Sequence, residues 1–167
     1  MKDPAVKLEA EQDNIEASGV FEVEVIRMGK DGPEVIARRI AKNLVVNTGK
    51  RQLWRQAVSL NTNDFDQARI GTCGTTPNSA HSNVLSPVTG TLNTVDSKSL
   101  LSGTRTLQLV ISYPSGGASK SATNIQEVAI LNQNTSPGGS ALARAIFTPV
   151  TKTTADKLRI TYKVRVT

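Results

Sequence analysis

The final stretch of the chain, "KLRITYKVRVT" (157–167), decides the fold class. Leu158, Ile160, Tyr162, Val164 and Val166 alternate strictly with Arg159, Thr161, Lys163 and Arg165. A period of two over this length describes an extended strand with one face in a core and the other in water. The C-terminus is therefore expected to be a strand locked into a half-buried sheet.

The pattern recurs upstream. In "VFEVEVIRM" (20–28), Phe21, Val23 and Val25 oppose Glu22 and Glu24. "GKDG" (29–32) then offers a turn, and "PEVIARRIA" (33–41) reads as the returning strand, since Asp-Gly between extended runs is a strong hairpin signal. "RTLQLVIS" (105–112), "NIQEVAIL" (124–131) and "ALARAIFTPV" (141–150) read as further strands. Between them lie "YPSGGASKSAT" (113–123) and "NQNTSPGG" (132–139), rich in turn residues. Short strands separated by such turns imply a mainly β protein, an antiparallel β-sandwich of jelly-roll-like type, rather than alternating βα units.

One short helix is expected in "NTGKRQLWRQAVSL" (47–60), where Asn47 or Thr48 can cap the start and Leu53, Trp54, Ala57 and Val58 share a face. That places Trp54 in the core at one end of the sandwich. The alternative reading makes Lys50, Arg51 and Arg55 an anion-binding patch at the helix start, where an acidic partner would compensate cations that oppose the helix dipole, but the pattern signals this only weakly. Residues 82–104 are Ser/Thr-rich with isolated apolar residues, either an irregular excursion or short edge strands.

The division expected is an N-terminal arm, residues 1–18, and a β-sandwich domain, residues 19–167. The arm lacks strand periodicity and carries Asp3, Glu9, Glu11, Asp13 and Glu16 against Lys2 and Lys7. It is net −3 within a chain of net +6, so the remainder is net +9. A short helical tendency in "KLEAEQDNIEA" (7–17) sets Leu8 and Ile15 seven apart. Such a segment is either an acidic tail in solution or one that folds onto a neighbouring subunit.

Size and composition narrow the function. A chain of 167 residues is most simply one domain, long enough to bury roughly 70% of its unfolded surface. One cysteine excludes an internal disulfide framework. No apolar run reaches the length of a membrane span, and the first residues are too polar for a signal peptide. The expectation is a soluble protein made in the cytosol, with no membrane partner. Its cations are spread along the strands rather than clustered, and aromatics make up only 4% of the chain, too few for a row of base-stacking platforms. Specific nucleic-acid binding is not expected.

Catalytic and metal chemistry find little material. "RIGTCGTTPNSAH" (69–81) holds the only cysteine, Cys73, and the only histidine, His81. A loop could bring them together, but no cationic or helix-start environment marks Cys73 as an activated nucleophile. The segment lacks both phosphate-binding glycine patterns. One His and one Cys cannot form a zinc site alone. Asp64 and Asp66 in "NDFDQ" read more simply as a polar loop than as a calcium site. No catalytic residue, cofactor or metal is expected, and the chain reads as a non-enzyme.

The order of the segments carries more information than these side chains. "KNLVVNTGKRQLWRQAV", then "ARIGTCGTTPNSAHSNVL", then "NIQEVAILNQ", then "ALARAIFTPVTKTTADKLRITYKVRVT" resembles small structural proteins of tailed bacteriophages. The resemblance covers roughly residues 43–167, and it departs from the pattern at Cys73, where glycine is expected, and at Ala129-Ile130, where Gly-Leu is expected. It implies a β-sandwich virion component that works as a homo-oligomer, often a trimer, against the major capsid protein or other virion proteins. A capsid decoration (cement) protein on the capsid exterior is the first expectation, and a neck, baseplate or tail-fibre-associated part is the alternative. In either role Val6, Leu8 and Ile15 of the arm would grip neighbours, and Arg159, Lys163 and Arg165 would face acidic partner surface or simply solvent. A carbohydrate- or receptor-binding sandwich would want exposed aromatics, and only Trp54, Tyr113 and Tyr162 are candidates.

Overall fold

The computed structural model describes residues 17–50, 65–116, 121–132 and 140–166. They form ten strands: β1 (Ala17–Gly29), β2 (Gly32–Lys42), β3 (Leu44–Val45), β4 (Phe65–Gly71), β5 (Asn93–Thr94), β6 (Ser97–Leu101), β7 (Thr106–Tyr113), β8 (Ala122–Asn132), β9 (Ala141–Lys152) and β10 (Asp156–Val166). Two five-stranded antiparallel sheets pair in the orders β2-β1-β10-β7-β6 and β3-β9-β8-β4-β5. The antiparallel β-sandwich read from the alternating strands is the fold.

The alternation places the core. Phe21 pairs with Tyr162 and Tyr162 with Leu109; Val23, Ile160 and Ile111 form the next row; Val25, Leu158 and Tyr113 the third. All nine are fully buried. Phe21 and Tyr162 stack at a centroid distance of 4.4 Å. The opposing sheet answers these bulky side chains partly with small ones, Ala68, Ala143 and Ala145, beside Ile70, Val128 and Ile130. Tyr113 crosses the interior, and its hydroxyl donates to the Ala68 carbonyl at 3.1 Å. Burial pushes the Tyr113 and Tyr162 phenols well above their ordinary value. Each large apolar side chain enclosed here contributes roughly 1.5–3 kcal/mol.

The hairpin expected at "GKDG" forms, with Gly32 at φ 118°, where a side chain would be strained. β1 starts at Ala17, so residues 17 and 18 belong to the sheet rather than to the arm. The 82–104 stretch supplies two short edge strands, β5 and β6, after an irregular run. The chain steps between sheets on both flanks. Asn43 N donates to the Gly19 carbonyl between β2 and β3. Asp96 N donates to the Val110 carbonyl between β5 and β6. Residues 47–50 open the expected helix, with Lys50 N bonding the Val46 carbonyl, while Arg51, Leu53, Trp54 and Arg55 lie outside the described residues. The Thr48 hydroxyl donates to the Ala141 carbonyl at 3.1 Å, which ties the helix start to β9.

The outer face of the first sheet departs from a simple wet surface. Register sets Arg38, Glu24 and Arg159 in one row across β2, β1 and β10. Arg159 Nε and Nη2 lie 2.8 and 2.6 Å from Glu24 Oε2, and Arg38 pairs with Glu22. Glu24, expected in water, is only 7% exposed because arginines on both sides cover it. On the inner side of the same sheet, Asp156, the first residue of β10, is buried next to the turn from β9. It accepts from Arg27 Nε at 2.7 Å and from the Thr153 N–H and hydroxyl at 2.9 and 2.6 Å.

The Arg27 guanidinium foremost, aided by Thr153, holds the Asp156 carboxyl well below the usual carboxylate range. A depressed folded-state pKa contributes stability that is present above the unfolded value and is lost as pH falls through the folded one. Stability is therefore expected to decline from about pH 4 downward. Asp156→Asn should flatten that decline while lowering stability at neutral pH, as read by denaturant titration at stepped pH. An unchanged acid slope in the variant would remove Asp156 from the account.

Candidate functional site

The outer face of the second sheet carries the densest polar cluster among the described residues. β8 contributes Glu127, followed two and four residues on by Ala129 and Leu131. β9 contributes Arg144, directly opposite Ala129. Both charged side chains have zero exposure. Arg144 Nη2 and Nε donate to Glu127 Oε2 at 2.7 and 2.9 Å, a two-pronged approach to one oxygen. Such a pair survives burial only when the remaining lone pairs and protons are satisfied.

They are satisfied by the loop quoted above as "RIGTCGTTPNSAH" and its continuation. Glu127 Oε1 accepts from Ser86 N at 2.8 Å and Cys73 N at 3.3 Å, and Oε2 also accepts from Leu85 N at 3.1 Å. Arg144 Nη1 donates to the Thr75 carbonyl at 2.9 Å. The same nitrogen lies 3.2 Å from His81 Nδ1, which also accepts from Asn78 N at 3.0 Å. Two donors converge on Nδ1, so it is the unprotonated nitrogen and the ring proton sits on Nε2. Five hydrogen bonds leave the carboxylate no free lone pair for a proton transfer. It acts as a clasp that holds both limbs of the loop against the sheet.

Further bonds fix the loop. Asn47 N donates to the Ser79 carbonyl, Ala141 N to the Ser82 carbonyl, and Thr72 N to the Ser86 carbonyl. The Thr91 hydroxyl, buried, points back to the Val88 carbonyl at 2.6 Å. Val46, Val84, Ala129, Leu131 and Ala141 form a small apolar cluster separate from the main core. Gly71 is required at the end of β4, because a methyl there would collide with Glu127 and with the Ser86 carbonyl.

The side chains singled out in the sequence fall as follows. Cys73 Sγ is hydrogen-bonded to Thr75 Oγ1 at 3.1 Å and receives the Thr75 N–H at 3.4 Å, and both hold the thiol below its ordinary value. Its partner is thus Thr75, while the ring of His81 is engaged with Asn78 and Arg144. The two do not hydrogen-bond each other. Asp66 lies in β4, and Asp64 lies outside the described residues. No group of three or more His, Cys, Asp or Glu gathers around a common point among the described residues. Tyr113 and Tyr162 are core residues. Val6, Leu8 and Ile15 lie outside the described residues. Arg159 is engaged with Glu24, whereas Lys163 and Arg165 are exposed.

Glu127 and Arg144 were not singled out in the sequence, although a signal was present. Each is a lone charge inside an apolar run, "EVAIL" and "ALARAIF". Charges are rarely fully buried unless paired, so two such interruptions in strands expected to be neighbours point to one another. Comparison with protein-family models, with curated proteins and with solved structures found no match.

Proposed function

We propose that the chain is a non-enzymatic structural component of a tailed-bacteriophage virion, a decoration protein that binds the capsid exterior and bridges shell subunits. The observation that carries this is the broad charged outer face of the first sheet, bordered by the point where the acidic arm joins. Five strands about 4.8 Å apart and roughly 30 Å long present on the order of 600 Å². One partner's side of a standard interface is about 800 Å², so this face and an arm together suffice for a specific contact. The order of segments that resembles phage structural proteins supports the same role. Many identical contacts on one shell would act together through effective concentration, so each can be weak.

Quantitative mass spectrometry of purified particles of the phage that encodes the chain tests the proposal. On the order of hundreds of copies per particle are expected for decoration, and about six or twelve would assign a neck, baseplate or tail position instead. Absence from the particle would overturn the virion role altogether.

A further inference from the structure

We infer that the open groove at the arm-bearing end of the first sheet is the seat of the chain's own acidic N-terminal arm. The groove encloses about 440 Å³ and is lined by Ser18, Gly19, Lys42, Asn43, Lys163 and Arg165, among others. Register sets Lys42 and Lys163 on either side of Val20, and Arg165 lies two residues beyond Lys163 on the same face. Farther along this outer face the arginines have acidic partners: Arg38 with Glu22 and Arg159 with Glu24. Lys42, Lys163 and Arg165 have none among the described residues. Like charges on adjoining strands repel, so an anion over this end stabilises it.

The chain itself supplies the counter-charge. Five of its fourteen acids, Asp3, Glu9, Glu11, Asp13 and Glu16, fall in residues 1–16, and only Lys2 and Lys7 oppose them. The arm enters the sheet at Ala17, and the next residue, Ser18, pairs with Arg165 and lines the groove. The arm's sixteen residues span up to about 55 Å when extended, far more than the two strand spacings, about 10 Å, that separate Lys42 from Lys163. A tether this short gives a local concentration in the millimolar range, so modest charge attraction is enough. At ordinary protein concentrations the chain's own groove outcompetes any other copy. The arm is then held on its body until a surface with stronger contacts takes it. This assignment rests on the charges of one chain and stands whether or not the chain works in a virion.

Carbodiimide coupling of the full chain tests it, because the reagent joins carboxylates to amines only in direct contact. Coupled peptides linking Glu9, Glu11, Asp13 or Glu16 to Lys42 or Lys163 are expected at low salt. Their yield should fall at least about tenfold near 1 M salt, where screening is complete within about 3 Å. Lys42→Glu with Lys163→Glu and Arg165→Glu should abolish the links. Adding Glu11→Lys, Asp13→Lys and Glu16→Lys should restore coupling with the chemistry reversed. Circular dichroism of each variant verifies that it is folded, and the salt response of the unaltered chain decides even if a variant is not. No arm-to-groove link at low salt would overturn the inference. So would links between differently isotope-labelled chains in a mixture, which would place a second copy's arm in the groove.

Discussion

Replacing Glu127 by leucine is expected to lower stability by about 4–5 kcal/mol, and replacing Arg144 by methionine by about 3 kcal/mol. For a domain of this size those losses correspond to falls in Tm of roughly 6–20 °C. The order follows from what each side chain leaves behind. Without Arg144, the carboxylate still accepts from the backbone of Cys73, Leu85 and Ser86. Without Glu127, a guanidinium of zero exposure has lost its counter-ion, and those three N–H groups have lost their acceptor. A buried ion pair replaced as a whole by apolar residues often costs nothing. Here the double variant should stay about 2–3 kcal/mol below the unaltered chain, because the orphaned N–H groups cost roughly 1 kcal/mol each. Denaturant melts at fixed protein concentration provide the comparison. Equal losses in the two single variants, or full recovery in the double, would show that the backbone bonds to the carboxylate contribute nothing.

The second large effect is Gly71→Ala, expected to cost about 3 kcal/mol, the upper end for overpacking. The added methyl would overlap Glu127 and approach the Ser86 carbonyl at 2.5 Å. Neither can retreat freely: the carboxylate is held by Arg144 and three N–H groups, and the carbonyl accepts from Thr72 N at 2.9 Å. The loss should be concentrated in the loop. Amide exchange at Cys73, Leu85 and Ser86 should accelerate far more than exchange in the core strands β1, β7 and β10. Uniform acceleration across both sheets would mean that the loop and the sandwich unfold as one unit.

Much of the architecture was legible because it rests on a local rule. Side chains alternate across a strand, so "FEVEV" and "LRITYKV" state which face is buried without reference to any neighbour. Phe21, Val23, Val25, Leu158, Ile160, Tyr162 and Val164 occupy the core as that rule requires. Short segments were the weak point. β3 and β5 are two residues each, too short for any period, and they exist because a neighbouring strand offers them partners. Glu24 shows the complementary failure: the pattern assigns it correctly to the outer face, but only the register reveals that arginines on both flanking strands enclose it.

"RIGTCGTTPNSAH" draws the eye to its reactive residues, Cys73 and His81, yet its role depends on two charges far along the chain. Residues 73 and 86 share one oxygen of Glu127, and Thr75 and His81 share one nitrogen of Arg144. The sequence alone determined the class of fold, the buried face of each long strand and the opposite charge of arm and body, since these depend on residue type and spacing. Tertiary structure decided which cations are neutralised, which strand partners which, and that an unremarked Glu–Arg pair holds the long loop. Those depend on distances between residues remote in the chain, which no local pattern encodes.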